Sequence, residues 1–216
     1  MLKQLSTLFL DLLFPRLCVH CKREFDSEGA LCQSCLRLVP LHHGPSQTKP
    51  FILYGASSYQ NPVLKTLVLE LKFKRNRETL LNISTLLSQY IKNLKLERYD
   101  FLLPVPVSSK TMKVRSFNQA QLIADMIRPF LPSATYSKNL LLRLKHRPSQ
   151  SAMKSFEGRW ENIEGSFALS EPALFKDKAI LLVDDVYTSG ATIQELRKLL
   201  KGSGARRIDA FVLARA

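Results

Sequence analysis

One fourteen-residue segment constrains the chain more than any other: Ala179-Ile-Leu-Leu-Val-Asp-Asp-Val-Tyr-Thr-Ser-Gly-Ala-Thr192. Residues 179–183 are all apolar, which reads as a strand buried on both faces, as in a parallel sheet. Two acids follow, then a loop of small hydroxyl residues and glycine, then a helical pattern over residues 193–200. Loop amides at a helix N-terminus form an anion site, because unpaired N–H groups and the positive end of the helix dipole meet there. Thr188, Ser189 and Thr192 add hydroxyl donors, Ala191 is the small residue between them, and Gly190 lets the backbone turn close to a ligand. Asp184 and Asp185 fall at the carboxyl end of the strand, where open α/β sheets bind ligands. Two carboxylates do nothing for a phosphate, but they accept hydrogen bonds from sugar hydroxyls. A phosphorylated ribose needs both features side by side. Acids that merely cap a turn are common at strand ends; the complete pattern is not.

The chain of 216 residues has room for one α/β domain plus a small module. From about residue 50, strand and helix patterns alternate. Strands are predicted over 52–59, 101–105, 179–183 and 208–214. Helices are predicted over 62–73, 78–94, 119–130 and 193–200. Alternation of this kind implies βαβ units and a mostly parallel sheet flanked by helices. Residues 132–170 break the rhythm and read as a basic excursion beside the sheet, with Arg143, Lys145, His146, Arg147, Lys154 and Arg159.

All four cysteines fall in one stretch, Cys18, Cys21, Cys32 and Cys35, spaced Cys-x2-Cys-x10-Cys-x2-Cys. Each Cys-x-x-Cys pair can form a knuckle presenting two thiolates, and a joining hairpin brings the knuckles to one tetrahedral Zn²⁺. Disulfides suit secreted chains, a redox dithiol needs only one pair, and the commoner iron–sulfur spacings differ. Four thiolates leave no open coordination position, so such a zinc is structural. His20 reads as a bystander. The ribbon is expected to depend on its metal while the main domain stands without it. Before it, Leu2, Leu5, Leu8, Phe9, Leu12 and Leu13 fall at helical spacing, ended by Pro15. That helix reads as packing on the protein rather than on a membrane, since its polar face is not rich in basic residues. Asp11 and the lack of a small-residue cleavage site argue against a signal peptide. No apolar run is long enough for a transmembrane helix.

The net charge of +14 is uneven. Residues 61–160 carry 18 basic and 6 acidic side chains, net +12, whereas residues 1–60 are +2 and residues 161–216 neutral. The middle of the chain is therefore where a polyanion would be met. A surface that only aids solubility is the competing account. Lys72, Lys74, Arg75 and Arg77 form its densest run outside the acid-loop segment and are the candidates for contacting nucleic-acid phosphates. Phe73, Tyr90 and Phe117 are candidate stacking aromatics or core residues.

Residues 179–192 resemble the phosphoribosyl pyrophosphate (PRPP) signature of type I phosphoribosyltransferases. With the four-cysteine ribbon in front, nearly the whole chain resembles the competence protein ComF (ComFC) family. Further marks are Leu13-Phe-Pro, Leu71-Lys-Phe73, Val105-Pro106, Arg115-Ser-Phe-Asn-Gln119, Arg143, Gln150, Arg159, Asn162, Phe167 and Leu213-Ala-Arg215. Two departures are Ser116, where the family usually has glycine, and Ser189, where it usually has threonine. The resemblance implies a type I phosphoribosyltransferase-like parallel sheet over residues 50–216 and a zinc ribbon with its helix over residues 1–45. It implies that Asp184 and Asp185 bind the ribose hydroxyls and that residues 188–192 hold the 5′-phosphate. The loop after Pro106, with Lys113 and Arg115, would take the diphosphate, with Mg²⁺ arriving chelated by PRPP. In a transfer reaction Arg115 would stabilise the leaving diphosphate and the two acids would position the sugar. Asn118 and Gln119 either belong to this site or cap the next helix. The family also implies work on imported single-stranded DNA in natural transformation, with a DNA-transport helicase as partner. The expected location is cytoplasmic, with the inner face of the membrane and a homodimer left open. A catalytically silent PRPP sensor and a nucleobase-salvage enzyme are the alternative readings. No side chain stands out as a general base, and no acceptor can be read.

Overall fold

The computed structural model describes residues 15–74, 76–96, 98–144 and 165–216. The helical run over residues 2–13 lies outside them. So do Arg75, Lys145, His146, Arg147, Gln150, Lys154, Arg159 and Asn162.

The described residues build a six-stranded sheet. Its strands are β1 (Ser46–Thr48), β2 (Phe51–Ser58), β3 (Phe101–Pro104), β4 (Thr135–Tyr136), β7 (Ala179–Tyr187) and β8 (Arg207–Arg215). Their spatial order is β1-β2-β8-β7-β3-β4, antiparallel only at β1–β2. A separate antiparallel pair, β5 (Leu141–Arg143) with β6 (Phe167–Leu169), sits in the expected excursion. The helices are α1 (Gln33–Arg37), α2 (Pro62–Lys74), α3 (Thr79–Lys92), α4 (Ser109–Arg115), α5 (Gln119–Ile127) and α6 (Ala191–Gly202).

Successive residues of a strand point to opposite faces, so a wholly apolar strand feeds two cores. β7 does this: Leu181 and Val183 enter one core, with Leu67, Ile83, Leu86 and Ile123 of α2, α3 and α5. Ile180 and Leu182 enter the other, with Ile193, Leu196 and Leu200 of α6 and Leu141 and Phe167 of the small sheet. α5 therefore follows β3 on one face and α6 follows β7 on the opposite face. β3 continues outward to β4, while β7 continues the other way to β8. The crevice between β3 and β7 is thus the point where the strand order reverses, the position at which doubly wound sheets open a ligand site.

Several boundaries differ from the sequence expectation. β7 runs four residues past Val183, through both acids to Tyr187. Pairing with β8 carries it: Asp184 opposes Val212, Val186 opposes Ala214 and Tyr187 opposes Arg215. α5 ends at Ile127 and tightens into a 3-10 turn at Arg128–Phe130, where Pro129 has no N–H to continue the ladder. The segment after Pro106, expected as a loop, contains α4. Ser108 caps it by accepting a hydrogen bond from the Thr111 amide at 3.1 Å.

At the opposite end of the strands, buried Asp209 accepts hydrogen bonds from the Ile52 amide (2.8 Å) and the Tyr99 hydroxyl (2.9 Å). Arg207 lies 3.3 Å from the same carboxylate. A buried charge is tolerable when it is satisfied in this way. It ties β2 to β8.

Candidate sugar-phosphate site and cysteine centre

The β3–β7 crevice holds a cavity of about 190 Å³. Asp184 and Thr192 line one side; Val105, Pro106, Ser108 and Thr111 line the β3–α4 side; Arg115 and Arg143 supply the positive charge. Next to it, the N-terminus of α6 forms a recess lined by Asp184 and residues 186–193. Gly190 is the N-cap there, at φ 77°, and the Tyr187 ring occupies the space that a Cβ would need. Glycine is therefore required twice over, by backbone angle and by close approach. The loop meets the helix with no acid in the first turn, so its amides and dipole face an incoming anion uncompensated.

The two acids are not equivalent. Asp185 is paired with Lys72 of α2, Nζ to Oδ2 2.7 Å, both side chains largely buried. Asp184 accepts from the Asp185 amide at 2.8 Å. Burial, then the charge of Asp185, pushes the Asp184 carboxyl up to about 7; the Asp185 amide, Lys72 and Arg143 oppose this. A carboxyl poised there accepts hydrogen bonds from hydroxyls once ionised and donates one when protonated.

The structure brings Asp184, Thr192 and Arg115 to one cavity and the rest of residues 188–192 to the adjoining recess. Lys113 is on the exposed α4 and does not line the cavity. Lys72, expected on a nucleic-acid-facing surface, instead reaches the acid pair. Arg77 lines a separate apolar pocket with Leu71, Leu80, Phe117 and Leu122. Tyr90 is core, 1% exposed, whereas Phe73 is 66% exposed. Asn118 is structural: its Oδ1 caps α5 at the Ala120 amide and its Nδ2 donates to the Val105 carbonyl, both 2.9 Å. That second bond fixes the end of β3 against α5.

Sequence reasoning gave no role to Arg143 or to the Lys72 pairing. Arg143 stacks on Phe167 across β5–β6, 4.8 Å from the ring centre, and turns toward Asp184. The signal was present: Lys72, Arg143 and Phe167 are all among the residues that carry the ComF resemblance. Nothing local in the sequence said that they converge.

The four cysteines also converge. Their sulfur atoms lie within 4.8 Å of one another, with Cys21 and Cys32 Sγ 3.8 Å apart. Zn–S bonds of about 2.3 Å at tetrahedral angles space sulfurs by about 3.8 Å, so the residues fit Zn²⁺. Burial raises the Cys18 thiol, but the backbone amides of Cys32, Cys21 and His20 outweigh it and bring it to about 6, whereas burial and hydrogen bonds to the other three cysteines push Cys35 up. His20 is not part of the cluster; its Nδ1 is 3.2 Å from Thr66 Oγ1 on α2. The ribbon is seated on the main core. Cys18, Leu31, Cys35 and Val39 pack in the same cluster as Leu64, Leu67 and Leu86. Asn82 of α3 accepts from the Ala30 and Leu31 amides at 2.7 and 3.1 Å.

Comparison with known proteins gives the family. Residues 72–216 match the phosphoribosyl transferase domain, and residues 9–46 match the double zinc ribbon domain. The chain belongs to the phosphoribosyl transferase domain family. Its similarity to Competence protein F of Haemophilus influenzae is 29% identity over 204 residues, 92% of this chain and 84% of that one. DNA utilization protein YhgH of Escherichia coli (strain K12) is 25% identical over 208 residues, 92% of this chain and 90% of that one. Competence protein ComFC of Bacillus subtilis (strain 168) is 28% identical over 165 residues, 72% of this chain and 61% of that one. The ComF resemblance thus extends along both the ribbon and the sheet. Among the described residues, no helix is long and apolar enough to cross a membrane.

Proposed function

We propose that the chain binds PRPP with Mg²⁺ in the β3–β7 crevice and handles single-stranded DNA during DNA uptake. One observation carries the first half: Asp184 and a helix N-terminus with hydroxyl residues share a crevice whose far wall is two arginines, and Asp185 adjoins it on the same strand, paired with Lys72. On this reading Asp184 and Asp185 accept from the ribose hydroxyls, and residues 188–192 surround the 5′-phosphate. Arg115 and Arg143 face the diphosphate. Mg²⁺ would supply charge neutralisation between diphosphate and ribose oxygens. Lys72 must yield Asp185 to the ribose, and is then free to pair with a ligand phosphate.

The DNA half is supported by the +12 charge of residues 61–160 and by the names of the relatives, competence and DNA utilization proteins. Calorimetric titration of PRPP with Mg²⁺ tests the site. Asp185→Ala is expected to lower affinity about 5- to 150-fold, the loss of one hydrogen bond to a charged group. An Asp184/Asp185 double alanine variant that binds PRPP like the wild type would remove the site from this crevice. Diphosphate release with single-stranded DNA or free bases as acceptors separates a transferase from a silent sensor.

A further inference from the structure

We propose that Phe73 is the surface on which a nucleobase of single-stranded nucleic acid stacks beside the sugar-phosphate site; this rests on the PRPP and DNA reading above. The last turn of α2 touches both walls of that site. Lys72 holds Asp185 at 2.7 Å. Its neighbour Phe73 carries the Arg115 guanidinium over its ring, 5.1 Å from the centroid. Arg115 also lines the cavity that contains Asp184, so a single side chain spans from ring to cavity.

Among the described residues, the cavity has hydroxyls, two arginines, the Asp184 carboxylate, one proline and two valines on its walls, and no aromatic ring. It suits a sugar and anions, not a base. Phe73 is the flat apolar surface that adjoins it, and it stays 66% exposed even beneath Arg115. A guanidinium stacked on an exposed ring is loosely held, whereas arginine to phosphate is a charge-assisted bond and the stronger of the two. An anion in the cavity therefore draws Arg115 away and bares the ring. A base can then stack there while its backbone phosphates meet the basic surface of residues 61–160, the combination that single-strand binders use.

The experiment is an anisotropy titration of labelled oligo-dT at low salt against wild type, Phe73→Ala, Phe73→Leu and Phe73→Tyr. Stacking needs a π face, so Ala and Leu are expected to weaken binding roughly 5- to 150-fold and Tyr to retain it. A packing role would be rescued by Leu. Circular dichroism checks that each variant is folded, and the exposed position makes that the expected result. Phe73→Ala or Phe73→Leu binding like the wild type overturns this inference alone. A wild-type chain that binds no oligo-dT overturns it together with the DNA reading, while PRPP calorimetry judges the sugar-phosphate site separately.

Discussion

Ser116 ends α4 at φ 64°, a backbone region that glycine enters freely and serine does not. Its amide still closes the helix by donating to the Met112 carbonyl at 2.8 Å. Ser116→Gly is therefore expected to stabilise the chain by about 1 kcal/mol, strain relief outweighing the added freedom of the unfolded chain. Urea unfolding checks this; a loss of stability would mean that the serine hydroxyl holds something. Asp184 gives a pH prediction. Its folded carboxyl titrates near 7 and its unfolded one near 4, so between these values the folded chain holds the extra proton. The stability this provides is complete below about pH 4 and is lost as pH rises through about 7. Asp184→Asn should flatten the decline, leaving the variant less sensitive than wild type between those limits. Parallel pH slopes for the two proteins would contradict it. The acids were legible in the sequence because strand, loop and helix are contiguous there. Their partner was not: Lys72 lies 113 positions before Asp185, and helical periodicity names a buried face without naming what it meets.

At the scale of elements, the α2–α3 pair mediates between ribbon and site. Its outer side seats the ribbon through Asn82, and its last turn delivers Lys72 to the acids. Asn82→Ala leaves two buried amides without an acceptor, at about 1–3 kcal/mol each. The expected result is a loss of about 3 kcal/mol with the zinc still bound, read by urea unfolding beside metal analysis. An unchanged unfolding midpoint would show that the ribbon is not seated there. The helices and central strands were readable from their apolar spacing, which reports burial directly. α4 was not, because its seven residues include no buried side chain and so leave no periodic mark. The four extra residues of β7 were hidden for a related reason. Acids look like a strand's end, and only the β8 ladder shows otherwise.

For the molecule as a whole, the sequence suggests a ribbon that unfolds by itself, but Cys18 and Cys35 belong to the same core as the helices beneath the sheet. Zinc removal is accordingly expected to shift the whole chain's unfolding rather than split it. Calorimetry with and without chelator, or of Cys32→Ser, should show one transition at a lower temperature. Each kcal/mol lost moves it by about 2–4 °C at this chain length. Two separate transitions would restore the independent ribbon. A parallel sheet was legible from the alternation of elements. The strand order was not, because apolar patterns carry no information on which strand adopts which neighbour.

That order has a consequence for how the protein is made. β8 lies between β2 and β7, and its Asp209 holds the Ile52 amide from 157 positions away. A ribosome delivers β2 early and its partner late, so for most of synthesis the inner edge of β2 is an open row of amides and carbonyls. The ribbon and α2–α3, whose contacts are closer in sequence, can assemble first and shield one face of that strand. The strand order thus lets the metal module form before the sheet, and it leaves the inner edge of β2 open until β8 emerges.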